Sequence, residues 1–194
     1  MKSDFDIMTQ YSMNYRNIKG LLSALVLVAG LSQGTEILGG EQSDYYRTDT
    51  IPVPEGIVLE AGALQWLGDN QMAVSTRLGE IYIVDNALAE NPSDTTFHLF
   101  ASGLHEVLGL AKKDDWIYCV QRCELTRMKD LDHDGRADVF ETVNDDWGIT
   151  GDYHEYAFSS KFDRDGNIWI VLCLTGSFTS EIDYRGWCLR VTPE

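Results

Sequence analysis

The chain has 194 residues, enough for one domain with a sizeable core, and carries 31 acidic against 15 basic side chains, a formal charge of −16. Residues 1–40 hold three acids and three bases, so the whole excess lies in residues 41–194. Such a field repels nucleic acid and anionic membrane and favours soluble cations, which argues against a nucleic-acid-binding protein.

In chain order, the first feature is the apolar run LLSALVLVAGL at residues 21–31. It is shorter than the ~20 residues a membrane helix needs, so no membrane span is expected. Arg16 and Lys19 precede it and Ser32 and Gly34 follow, the layout of a secretory signal peptide over residues 1–34. Met13 would start a signal of more ordinary length. The competing reading is a buried strand or helix at the domain edge. Residues 35–50 read as a linker. Export places the protein in the periplasm or outside the cell, where calcium is available and disulfides are permitted. Cys119, Cys123, Cys173 and Cys188 allow three complete pairings, among which sequence does not choose. Cys119-x3-Cys123 is not a zinc pattern, and no C-x-x-C-H haem site is present.

Residues 51–194 are predicted to be all-β. ALQWL (63–67), QMAVSTR (71–77) and EIYIVD (80–85) are short β-rich runs separated by Gly68-Asp69-Asn70 and Leu78-Gly79. LGLAKK (108–113), WIYCVQ (116–121) and LTRMKD (125–130) repeat the order, as do YAFSSKF (156–162), NIWIVLCL (167–174) and WCLRVT (187–192). The turns near residues 69, 114 and 165 are spaced by about 45 and 51 residues, as expected for β-propeller blades. Three units fall short of the usual four to eight, so the chain reads as a partial, unclosed propeller, the N-terminal part of a six-bladed form. Trp66, Trp116 and Trp169 lie near the repeated turns and are assigned to packing between blades. Trp147, in the polar stretch NDDWGITGDY, is the expected ligand-facing aromatic.

KDLDHDGRADVFE (129–141) matches the twelve-position calcium loop D-x-D-x-D-G-x5-E. Asp130, Asp132 and Asp134 offer carboxylates at alternate positions, Arg136 its backbone carbonyl, Asp138 the often water-mediated ninth position and Glu141 the twelfth. A calcium-sensing helix pair is excluded, because WIYCVQ precedes the loop and NDDWG stops any helix after it. The expected site is a calcium clip between strands.

With these residues assembled, the chain resembles the secreted bacterial sorbosone-type, membrane-bound dehydrogenase-like β-propellers common in planctomycetes, relatives of the soluble quinoprotein glucose dehydrogenases. The matching stretches include PEGIVLEAGAL (54–64), STRLGEIYIVD (75–85), ASGLHEVLGLA (101–111), QRCELTRMKDLDHDGRADVFETV (121–143), WGITGDYHEYAF (147–158) and KFDRDGNIWI (161–170). The resemblance implies a propeller dehydrogenase, pyrroloquinoline quinone as cofactor and a sugar or alcohol as substrate. Longer members add further C-terminal blades and, in some, a haem domain. It implies His154 as the base that takes the alcohol proton, with Glu155 orienting it or binding an ion. Arg122 and Lys161 would face an anionic quinone. Ser159-Ser160 stands where that family usually has glycine. The bland alternative is that His154-Glu155 caps a blade entrance, as His105-Glu106 would one unit earlier. A non-catalytic, calcium-stabilised propeller that binds glycan or protein is the competing function.

Overall fold

The computed structural model describes residues 42–173 and 182–193. The expected signal peptide and residues 35–41 of the linker lie outside them. The chain divides into two compact units, Met1–Tyr46 and Arg47–Glu194. Of the first only a short 3-10 turn at Gln42–Asp44 and its two following residues are described.

The second unit is all-β, with three antiparallel sheets of four, four and three strands. Sheet A holds β1 (Ala61–Gly68), β2 (Gln71–Thr76), β3 (Ile81–Asp85) and β4 (Thr96–Ala101). Sheet B holds β5 (Gly109–Lys113), β6 (Trp116–Val120), β7 (Leu125–Lys129) and β8 (Val139–Asn144), and sheet C holds β9 (Ala157–Phe162), β10 (Ile168–Leu172) and β11 (Cys188–Val191). In every sheet the strands pair in chain order, so each is a meander built by local turns. The β1–β2 turn needs left-handed backbone at both central residues, and Asp69 (φ 46°) and Asn70 (φ 62°) supply it at low cost. Two strands escape the sequence pattern. These are β4, a short run among polar residues, and β8, which overlaps the end of the calcium-loop motif.

Alternation along β6 decides how the sheets stack. Ile117 and Cys119 face sheet A, in a core with Ala73, Ile81, Phe100, Leu110 and Met128. Tyr118 and Val120 face sheet C, in a core with Leu125, Trp147, Ile168, Ile170 and Leu172. Sheet B is thus buried on both sides, which is why WIYCV reads as a continuous apolar run. Cys119 belongs to this interior, and burial pushes its thiol far above the usual range. The first strands of the sheets run side by side, β5 between β1 and β9. A Cβ on Gly62 would lie 2.2 Å from the Val107 carbonyl, and one on Gly109 would lie 2.3 Å from that of Ser159, so glycine permits the approach.

The β9–β10 turn is organised by Asp163. Its Oδ2 accepts from Trp169 Nε1 at 2.9 Å, and its Oδ1 accepts from the Asn167 and Asp165 amides, both at 2.9 Å. The Trp169 and Asn167 donors hold its carboxyl down to about 2. A depressed carboxylate contributes stability that is complete above the unfolded value near ~4 and lost as pH falls through the folded one. Carbon-detected carboxyl titration should therefore find Asp163 ionised at pH 3, and Asp163→Asn should remove its share of the acid-side decline in melting temperature. Titration near 4 would contradict this.

Candidate functional site

Two polar clusters leave opposite ends of sheet B. Because β7 and β8 are antiparallel, their connection, residues 130–138, emerges at one end. The β4–β5, β6–β7 and β8–β9 connections emerge at the other.

The β7–β8 connection is the acidic loop. Carboxylate oxygens of Asp130, Asp132 and Asp138 lie within 4.8 Å of one another. Main-chain donors hold the loop in shape: Asp130 accepts from the His133 and Gly135 amides at 2.7 and 2.9 Å, and Asp138 accepts from the Leu131 amide at 2.7 Å. Asp134 accepts from the Arg136 amide at 2.8 Å. His133 takes a left-handed backbone (φ 63°), and Gly135 (φ 89°) does so at no steric cost. Glu141, expected as the twelfth ligand, is not among the converging residues. The register of β7 with β8 sets it opposite Arg127, whose guanidinium binds it at 2.7 Å. The strand begins at Val139, so the loop ends before a twelfth position is reached.

At the other end, a repeated device links the sheets. Each has an acidic residue just before its first strand (Glu60, Glu106, Glu155) and an arginine between its second and third strands (Arg77, Arg122, Arg185). Arg77 pairs with Glu60 of its own sheet at 2.7 Å and reaches Glu106 of the next at 3.7 Å. Arg122 pairs with Glu106 at 3.2 Å and donates to the Asp152 and Glu155 carbonyls of the next sheet's entry loop at 2.6 and 3.3 Å. Its guanidinium also lies 5.2 Å from the Tyr156 ring centre. Arg185 donates to the Gly148 and Tyr156 carbonyls at 2.6 and 3.1 Å. Burial lowers its pKa, and Glu155 opposes that shift.

Each expected ligand or catalytic residue at this end now has a place. Glu155 is fully buried, and its carboxylate accepts from the Thr150 amide (2.6 Å), the Thr150 hydroxyl (2.8 Å) and the Gly151 amide (3.3 Å). That carboxylate ties down its own loop. His154 is exposed. Its amide donates to Asp152 at 3.1 Å, and its ring meets Tyr153 edge-on at 4.8 Å. The pair His105-Glu106 has the same division, with histidine exposed and glutamate turned to arginine. Trp147 is not a ligand platform: it is 1 % exposed, lies in the core between sheets B and C, and donates to the Arg122 carbonyl at 2.9 Å. Lys161 is exposed on β9 and reaches Gln65 of β1 at 3.4 Å.

Of the expected packing tryptophans, Trp116 is partly buried under Arg127 at 4.5 Å, while Trp66 stays 42 % exposed on β1. Arg77 and Arg185 went unrecognised in the sequence. The signal was an arginine after each second strand, and the longer β10–β11 connection obscures its third occurrence. Among the described residues no helix is long and apolar enough to cross a membrane. No protein-family model and no curated protein matches the chain.

Proposed function

We propose that residues 51–194 are consecutive blades of a calcium-stabilised β-propeller, exported to the periplasm or beyond, with the acidic β7–β8 loop as the metal clip. The observation that carries this reading is the convergence of Asp130, Asp132 and Asp138 to within 4.8 Å. Each such pair of carboxylates repels by roughly 1 kcal/mol even in a water-like dielectric. A hard divalent cation removes that repulsion and takes several oxygens at once. Asp134 and the Arg136 carbonyl would complete the sphere, and Glu141 would stay with Arg127. The ion would fasten the outer hairpin of sheet B, at the end away from His154.

Calcium at ~100 times its dissociation constant would add about 2.7 kcal/mol to unfolding. Thermal unfolding in calcium and in chelator tests this. The melting temperature should rise with calcium, and Asp132→Asn should abolish most of the rise. Equal melting in both conditions would sink the reading.

A second reading, quinone-dependent oxidation of a sugar or alcohol, follows from the sequence resemblance and is favoured by one observation, the exposure of the His154 imidazole. The residues expected to hold the quinone do not fit it. Arg122 is spent on Glu106 and two carbonyls, and Trp147 is interior, which leaves Lys161 alone to meet an anionic cofactor. Binding of glycan or protein by the propeller therefore stands ahead of catalysis. Dye reduction with pyrroloquinoline quinone and a sugar panel should be at background. Turnover that His154→Ala removes would reverse that order.

A further inference from the structure

Sheets A and B meet along their inner strands, with β1 beside β5. Their outermost strands are β4 and β8, and at that end the acidic loop reaches from one sheet to the other. Ala137 is the only residue of 131–138 that is not exposed. Its amide donates to the Phe100 carbonyl of β4 at 2.9 Å, and its side chain packs against the core that holds Phe100, Ile117 and Met128. Beside it lies a cleft of about 150 Å³, walled by Leu99 and Ser102 on the side of sheet A and by Arg136 and Phe140 on the side of sheet B. Unfilled space forfeits dispersion contacts, so the outer seam depends on the Ala137 contact.

That contact and the carboxylate cluster are one peptide unit apart. The Asp138 amide donates to the Lys129 carbonyl at 2.9 Å, inside the hairpin, and its carboxylate accepts from the Leu131 amide at 2.7 Å. A planar peptide joins Ala137 to Asp138, so a displacement of the one is passed to the other. The carboxylates of Asp130, Asp132 and Asp138 repel one another, and their repulsion therefore acts next to the inter-sheet hydrogen bond. A cation that binds best where these oxygens converge favours the arrangement in which Ala137 is seated.

We propose that residues 136–138 form a calcium-controlled latch between sheets A and B. Neutralising Asp130, Asp132 and Asp138 seats Ala137 against Phe100, and unneutralised charge loosens it. The inference rests on the clip reading and adds what the ion controls, which is the outer seam between two sheets as well as the hairpin of one.

Amide exchange followed residue by residue by NMR, with the purified chain in calcium and in chelator, tests this. The Ala137 amide reports the inter-sheet bond and the Asp138 amide reports the hairpin. Calcium should slow exchange at both, by roughly tenfold or more at Ala137. Asp132→Asn removes one charge at an exposed position. In chelator it should slow Ala137 exchange relative to wild type, and it should blunt the further effect of calcium. Saturable calcium binding that protects Asp138 and leaves Ala137 unchanged would overturn the latch while the clip stands. A chain that binds no calcium would overturn the clip, and with it calcium as the controlling ion.

Discussion

Trp147→Ala should lower stability by about 3–5 kcal/mol, the range for removing a large aromatic from a packed core. The indole fills the space between sheets B and C against Leu125 and Leu172, and its Nε1 satisfies the Arg122 carbonyl. Truncation opens a cavity between two sheets and strands that carbonyl. Trp147→Phe keeps most of the volume and loses the hydrogen bond, so it should cost about 1–2 kcal/mol. Chemical denaturation of the three proteins measures both steps. A ligand-facing tryptophan would behave differently: the alanine variant would keep the wild-type midpoint and lose only affinity.

Gly79→Ala should cost as much, about 3–5 kcal/mol, for a backbone reason. Gly79 sits at φ 88°, where an L side chain is strained, and a Cβ there would lie 1.8 Å from the Leu104 carbonyl oxygen. Its own carbonyl accepts from the Leu104 amide at 3.0 Å, so the β2–β3 turn and the β4–β5 connection are locked together. Nothing flexible can yield, because the opposing atoms are main chain. The substitution would separate the loops that carry Arg77 and Glu106, which should appear as a lower urea midpoint and faster amide exchange in residues 102–108. A midpoint within about 0.5 kcal/mol of wild type would show that the turns are not in contact.

Local chemistry made most of the strands legible. Gly68-Asp69-Asn70 marks a turn, short β-rich runs mark β1 to β3, and the apolar run WIYCV marks β6. The same logic failed for β8, because DVFETVN completes a metal-loop pattern as well as it forms a strand. Only the pairing of Glu141 with Arg127 across the hairpin separates the two. Trp147 was misassigned because its neighbours in the chain are polar, while its neighbours in space are apolar and up to 42 residues away, from Ala111 to Leu189. Arg122 and Glu155 drew attention as charges in loops. Their partners are non-local or depend on a turn that sequence does not display, so an anchoring role could not be told from a ligand-binding one. The acidic loop was the legible part of the candidate site, since its residues lie within one short segment and need only a hairpin to converge.

The calcium clip is tested most directly by calorimetric titration of the folded, chelator-stripped protein with calcium. The account predicts one saturable site per chain, displaced poorly by magnesium, which demands a smaller, stricter octahedron. Asp132→Asn should weaken it by an order of magnitude or more, and Glu141→Gln should leave it nearly unchanged. No saturable heat, or equal loss in Glu141→Gln, would contradict an ion held by the Asp130–Asp138 loop.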